Sequence, residues 1–399
     1  MGMNDAPKSE RVHIGIFGRR NAGKSSLINA VTGQALAIVS DIAGTTTDPV
    51  SKAMELLPLG PVLLIDTPGL DDEGELGAQR VRSAKSVMNR CDAALVVAAA
   101  GEPLDAPYTD LIARLSQKNI PYIIVYNKAD LAPDWTPEDG GIAVSARTGD
   151  GIPALKERLA RLVIDPHSGR RLVGDLLTAG DVAILVVPID SAAPKGRLIL
   201  PQQQTIRDIL ESGACSMVVR ESELPDALTR LRDKPRIVIT DSQAFGQVSR
   251  DTPDEVALTS FSILMARFKG ILTEAVRGVR TLDRLSDGDR VLIAEGCTHH
   301  RQCDDIGTVK LPRWIAQYTG KQLDYQFTSG GEFPEDLSAY RLIIHCGGCM
   351  LNEREMKYRC AHALDESIPM TNYGIAIAYM HGILARSVAP FPDIAQLLQ

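Results

Sequence analysis

The feature that most narrows the fold is a strand that runs into a glycine loop and then into a helix. "VHIGIF" (residues 12–17) mixes β-branched and apolar residues in the pattern of a strand. It passes directly into "GRRNAGKSS", where residues 18–25 fit G-x-x-x-x-G-K-[ST]. "SLINAVTG" then reads as a helix that closes at Gly33. A loop of this kind aims backbone N–H groups and a helix N-terminus at phosphates. Gly18, Arg19, Asn21, Ala22, Gly23, Lys24, Ser25 and Ser26 are therefore the candidate phosphate-binding residues. Lys24 reaches the β- and γ-phosphates and Ser25 ligates Mg²⁺ in such a loop. The motif commits the chain to an α/β fold, because the loop needs a strand on one side and a helix on the other.

Three further elements follow in order. "VLLIDTPGL" is a strand ending at Asp66, with Gly69 three residues on. Asp66 is placed to hold Mg²⁺ through water, and the Gly69 amide to meet a γ-phosphate. "IIVYNKAD" ends a strand in Asn127, Lys128, Ala129 and Asp130. The Asp130 carboxylate can accept from two N–H groups on one edge of guanine, an edge adenine does not offer. Discrimination of this type reaches roughly 10⁴-fold, because the wrong base leaves buried groups unpaired. "AVSARTGDG" offers backbone N–H groups at Ser145 and Ala146 for the guanine carbonyl. Each element lies at the carboxyl end of a strand, where open α/β sheets form their crevices.

These motifs resemble the G-domain family over residues 11–163. They give a first domain at 8–166 with a doubly wound, mainly parallel sheet. By that resemblance "DIAGTTTDPV" is the first switch, and Thr46 is its Mg²⁺-ligating threonine. Leu70 stands where relatives with a water-orienting Gln carry that residue, so an apolar side chain replaces it. Asn21 resembles the potassium-ligating asparagine of the branch that contains tRNA-modification and ribosome-assembly GTPases. A cation there stabilises transition-state charge as an arginine finger does. The resemblance implies a slow GTPase, potassium-stimulated, with Lys24, Thr46, Asn21 and Gly69 as its catalytic residues.

"DPHSGRR" has linker composition. Beyond it, "DVAILVVPI", "CSMVV" and "RIVIT" read as strands, with "QTIRDILES" and "LPDALTRL" as helices between them. This predicts a second, smaller α/β domain over 174–262, with no catalytic constellation and with Cys215 in its core. A third α/β domain is expected over 263–399. Its strands are "RVLIA", "QLDYQF" and "LIIH", and "GIAIAYMHGILAR" reads as one of its helices.

Five of the seven cysteines lie past residue 296. Cys297 follows one strand, and Cys346 and Cys349 follow another in "HCGGC". With His299 and His345 they form a donor set. On residue chemistry alone this set suits zinc, an iron–sulfur cluster or a redox-active thiol pair, beside the plain reading of buried cysteines. Cys303 and Cys360 fall outside the motif and read as core or surface residues.

A G domain, a middle α/β domain, "CTH" at 297–299 and "HCGGC" at 345–349 together resemble the [FeFe]-hydrogenase maturation GTPase family. "PKGRLILPQQQTIRDIL" in the middle adds to that likeness. The resemblance spans the chain and implies a [4Fe–4S] cluster on Cys297, Cys346 and Cys349. One iron keeps an exchangeable position, with His299 or His345 as an occasional fourth ligand or as a hydrogen-bond donor beside the cluster. It also implies a homodimer that receives a diiron precursor from radical-SAM maturases and delivers it to apo-[FeFe]-hydrogenase. The rival is a translation-associated GTPase with a structural zinc domain. The formal net charge of −7 speaks against a nucleic-acid partner. No apolar run approaches the roughly 20 residues of a membrane span, and the start lacks a signal-peptide core, so a cytoplasmic location is expected.

Overall fold

The computed structural model describes residues 6–33, 50–57, 59–69, 75–137, 139–163, 171–189, 198–296 and 306–398. Thr46, Leu70, Cys297, His299 and Cys303 lie outside them. Two compact units divide at residues 168 and 169.

The first unit is built on a six-stranded sheet. Its strands are β1 (Val12–Gly18), β2 (Val50–Leu56), β3 (Gly60–Asp66), β4 (Ala93–Ala99), β5 (Tyr122–Asn127) and β6 (Ile142–Ala143), in the order β2-β3-β1-β4-β5-β6. All pairings are parallel except β2 with β3. β1 and β4 are buried along their full length, as strands covered on both faces must be. One face packs under helices Lys24–Thr32 and Ile152–Leu162 through Leu27, Ile28, Leu155 and Leu159. The other packs under helix Ala106–Gln117 through Tyr108, Leu111 and Leu115. The fold class expected from the sequence is thus the one found. β1 lies between β3 and β4, so its carboxyl end faces the crevice where strand order reverses.

The second unit holds two four-stranded parallel sheets. The first contains β7 (Val182–Val186), β8 (Cys215–Val219), β9 (Ile237–Thr240) and β10 (Ala257–Ser260), in the order β10-β9-β7-β8. The second contains β11 (Arg290–Ala294), β12 (Asp324–Thr328), β13 (Leu342–His345) and β14 (Met370–Asn372), in the order β12-β11-β13-β14. One continuous apolar core serves both, running from Leu172 to Phe391. Helix Tyr373–Met380 packs against helices Phe261–Phe268, Leu272–Val279 and Leu311–Thr319, which joins the two sheets. Its start is capped by Asn372, whose side chain accepts from the Ile375 N–H at 2.8 Å. Asn372 Nδ2 donates to the Ser262 carbonyl at 3.1 Å, tying this cap to the neighbouring helix.

Two sequence expectations change. Cys215 is exposed, not a core residue, because β8 is an edge strand whose faces are only partly covered. "GIAIAYMHGILAR" forms two helices, Tyr373–Met380 and Leu384–Val388, because the chain turns at His381 and Gly382 between them.

The entry into the second unit is fixed by one carboxylate. Asp208 accepts from the backbone N–H of Val173 at 2.8 Å and of Gly174 at 2.7 Å, and pairs with Arg171 at 3.3 Å. Truncating it leaves two buried donors without a partner. Asp208→Ala is expected to destabilise the second unit by about 2–4 kcal/mol. Urea denaturation followed by circular dichroism checks this, and a loss under ~0.5 kcal/mol would contradict the clasp.

Candidate functional sites

The glycine loop is held open by its own backbone and closed beneath by Asn127. Asn21 sits in the left-handed region, with φ 61, and is exposed. Gly23 has φ 87, and a Cβ there would stand 2.2 Å from Asn127 Nδ2, so only glycine fits. Asn127 is 2% exposed. Its Nδ2 donates to the carbonyls of Ala22 at 3.1 Å and Gly23 at 3.4 Å, and its Oδ1 accepts from the Ala146 N–H at 3.0 Å. One side chain therefore links the phosphate loop to the 145–146 loop. The sequence aims the Ala146 N–H at a base; in this structure it is engaged by Asn127.

Lys24 Nζ donates to the carbonyls of Gly18 at 2.9 Å and Arg19 at 2.8 Å, which curls the ammonium under the loop it serves. Ser26 follows in the first turn of helix Lys24–Thr32. Arg19 points away from this cluster. It pairs with Asp105, lies 5.9 Å from the Tyr108 ring centroid, and its backbone N–H donates to the Tyr108 hydroxyl at 3.3 Å.

Ser25 Oγ donates to Asp66 Oδ2 at 2.6 Å, so the two expected Mg²⁺ residues touch. Asp66 Oδ1 is buried and has no hydrogen-bond partner among the described residues. Burial holds the Asp66 carboxyl above the usual range, against the pull of the Ser25 hydroxyl and the Lys24 charge. An orphaned carboxylate oxygen beside a serine hydroxyl and a lysine is a fit for a hydrated divalent cation. Gly69 stands half-buried in the segment after β3. On the base side, Lys128 has φ 63 and starts the turn Ala129–Leu131. Asp130 Oδ1 accepts from Ser145 Oγ at 2.7 Å, and that oxygen accepts from the Thr148 N–H at 3.1 Å. The Asp130 carboxylate is thus oriented before any base arrives.

The thiol turn lies in the second unit. Parallel pairing sets Ala294 of β11 beside His345 of β13, and the Cys346 N–H donates to the Ala294 carbonyl at 2.8 Å. Cys346 Sγ accepts from the Gly296 N–H at 3.0 Å and from the Gly348 N–H at 3.4 Å. Gly296 immediately precedes Cys297. Two N–H groups thus converge on one sulfur, as hydrogen bonds to a metal-bound thiolate do. Cys346 and Cys349 are both half-buried. Burial raises the Cys349 thiol, opposed by the charge of Lys269. Among the described residues no three His, Cys, Asp or Glu side chains form a metal cluster.

His345 is turned into the interior and is fully buried. Its Nε2 faces Arg359 at 3.0 Å, and a guanidinium can only donate, so Nε2 is the acceptor. Its Nδ1 then carries the hydrogen and donates to the Cys346 carbonyl at 2.8 Å. Burial, with the Arg359 charge, lowers the imidazole to about 3, so the ring is neutral. With both ring nitrogens engaged, this geometry does not place His345 as a ligand. It orients the backbone that carries Cys346. Arg359 is also fully buried. It donates to Glu355 Oε1 at 2.8 Å and to the Gly330 carbonyl at 3.0 Å, with Phe333 5.0 Å from its charge. In the sequence, Glu355 and Arg359 are a spacing-four pair that looks like a solvated helix face.

Three family comparisons bear on the chain. The hydrogen maturase F dimerization domain matches residues 172–270, and the hydrogen maturase F tetramerization domain matches 273–390. The 50S ribosome-binding GTPase family matches 13–128. Among curated proteins, the tRNA modification GTPase MnmE of Xanthomonas oryzae pv. oryzae is 40% identical over 38% of this chain and 34% of its own. MnmE of Chromobacterium violaceum is 37% identical over 39% of this chain and 35% of its own. The chain thus spans about a third of the length of the curated relatives it matches. The solved structure of Aquifex aeolicus Era with GDP and aluminium tetrafluoride is 19% identical, covering 52% of this chain and 93% of that one, with a TM-score of 0.35.

The two glycines of the thiol turn are not equivalent. Gly348 has φ 64, and a Cβ on it would stand 2.6 Å from Met356 Sδ, whereas a Cβ on Gly347 meets nothing within 4 Å. Gly348→Ala is expected to cost about 1–3 kcal/mol and to speed thiol labelling at Cys346 and Cys349, with Gly347→Ala near neutral. Equal effects of the two substitutions, in denaturation and in labelling rate, would contradict this turn geometry.

Proposed function

This chain belongs to the hydrogen maturase F family, and from that premise we propose that it is a GTP-hydrolysing iron–sulfur scaffold. In this reading it accepts a diiron precursor from radical-SAM maturases and delivers it to apo-[FeFe]-hydrogenase. Its first unit is a P-loop GTPase domain. Lys24 and the loop amides bind the phosphates, while Ser25, Asp66 and Thr46 hold Mg²⁺. Asn127, Asp130 and Ser145 define the guanine pocket. Asn21 holds K⁺ beside the phosphates, where the cation supplies positive charge to the transition state.

The observation that carries the scaffold reading is the convergence at Cys346. The β11–β13 pairing sets the backbone just before Cys297 against the Cys346 sulfur, with Cys349 on the same turn. Cys297, Cys346 and Cys349 would hold a [4Fe–4S] cluster, whose fourth iron stays open to an exchangeable ligand. A closed four-cysteine site could not offer that position. His345 supports this arrangement from behind, while His299, outside the described residues, is kept as the proposed occasional ligand.

The chain carries the family's dimerization and tetramerization domains, which support self-association. We place a homodimer contact in the first of these, where the exposed edge strand β8 leaves backbone groups for pairing. Among the described residues no helix is long and apolar enough to cross a membrane, and we assign the protein to the cytoplasm.

GTP turnover is expected to be several-fold faster in KCl than in NaCl, with the difference lost in Asn21→Ala. Equal rates in both salts would remove K⁺ from the mechanism. Anaerobic reconstitution with iron and sulfide should give visible charge-transfer absorbance that each of Cys297→Ser, Cys346→Ser and Cys349→Ser abolishes. Stoichiometric zinc with no iron uptake would favour a structural zinc domain instead.

A further inference from the structure

The end of helix Phe261–Phe268 delivers a lysine beneath the thiol turn. Lys269 is 2% exposed. Its Nζ donates to the Leu351 carbonyl at 2.8 Å and stands 5.8 Å from the centroid of the Phe268 ring. Leu351 is part of the turn itself, since its N–H donates to the Gly348 carbonyl at 3.0 Å. Its side chain also abuts Gly296. A Cβ placed on Gly296 would stand 2.9 Å from Leu351 Cγ and 3.6 Å from Cys346 Sγ. One buried ammonium therefore anchors the residue that touches both strand ends of the site. A buried cation is costly unless negative charge or oriented dipoles offset it.

We propose that Lys269 is a positioning residue for the proposed cluster, fixing the backbone that follows Cys349 and bringing a positive charge to the thiol turn. The inference rests on the three-cysteine cluster proposed above. Three thiolates give a bound [4Fe–4S] cluster a net negative charge, and one-electron reduction adds to it. A fixed cation beside it favours the reduced form and raises the midpoint potential.

The test uses the full chain and three variants. Lys269→Met removes the charge, Lys269→Gln keeps an N–H donor without the charge, and Lys269→Arg keeps the charge. Each is reconstituted anaerobically, assayed for iron and sulfide, and titrated potentiometrically with the reduced cluster followed by electron paramagnetic resonance. The Met and Gln variants should show a midpoint shifted to more negative potential, or lose cluster uptake with an unchanged near-ultraviolet circular dichroism spectrum. The Arg variant should stay close to the parent. A parent-like potential and iron content in both uncharged variants would overturn the proposal. So would uncharged variants that fail to fold without iron, because the cation would then serve the fold. A parent chain that takes up no iron would refute the cluster itself, and is read separately from either result.

Discussion

The parallel pairing of β11 with β13 is the constraint on which the second unit's chemistry depends. Two strands separated by almost fifty residues end side by side, with Ala294 opposite His345. The ladder continues for one more bond, from the Cys346 N–H to the Ala294 carbonyl. Beyond it one strand leads to Gly296 and the other into the Cys346–Cys349 turn. A parallel sheet leaves unpaired backbone donors at its carboxyl edge, and here two of them aim at a sulfur. A slip of one residue would send His345 towards the opposite face and unseat the Arg359 network behind it.

The same rule shapes the first unit, with a different supporting device. The phosphate loop, Asp66, the Asn127–Asp130 segment and the Ser145 loop all leave the carboxyl ends of β1, β3, β5 and the stretch after β6. Asn127 then joins two of these loops by side-chain hydrogen bonds that helix and sheet cannot provide. Asp130 is held by Ser145, and Lys24 by its own loop. Groups fixed in this way lose little freedom when a nucleotide binds, which is the physical meaning of preorganisation. The two units use one principle for different ligands: phosphate meets N–H groups on a glycine loop, and sulfur meets N–H groups on a glycine turn.

Much of this was legible along the chain because local rules and tertiary structure agree. The strand, loop and helix of residues 12–33 are specified by alternation, glycine and the Lys-Ser pair, all local signals. "LII" before His345 is a continuous apolar run, as expected of a doubly covered parallel strand. β10 and β14 escaped because strands of three or four residues carry almost no periodicity. Cys215 was misplaced because an apolar run does not reveal whether its strand is central or at an edge. Nothing in the sequence singles out Arg359 or Lys269. Only their environment, a neutral buried imidazole for one and a carbonyl beneath the thiol turn for the other, separates them from the many that are solvated.

By itself the sequence determined the residue types that do chemistry and the spacing within each motif. Loop geometry over a few residues depends on the conformational reach of glycine and the handedness of the backbone. The tertiary structure decided which motifs meet and what stands behind them. It set Gly296 against Cys346, turned both nitrogens of His345 inward, and buried an ammonium under Leu351. Those outcomes come from sheet register and core packing between segments far apart in the chain, where contact is decided by which faces must leave water together.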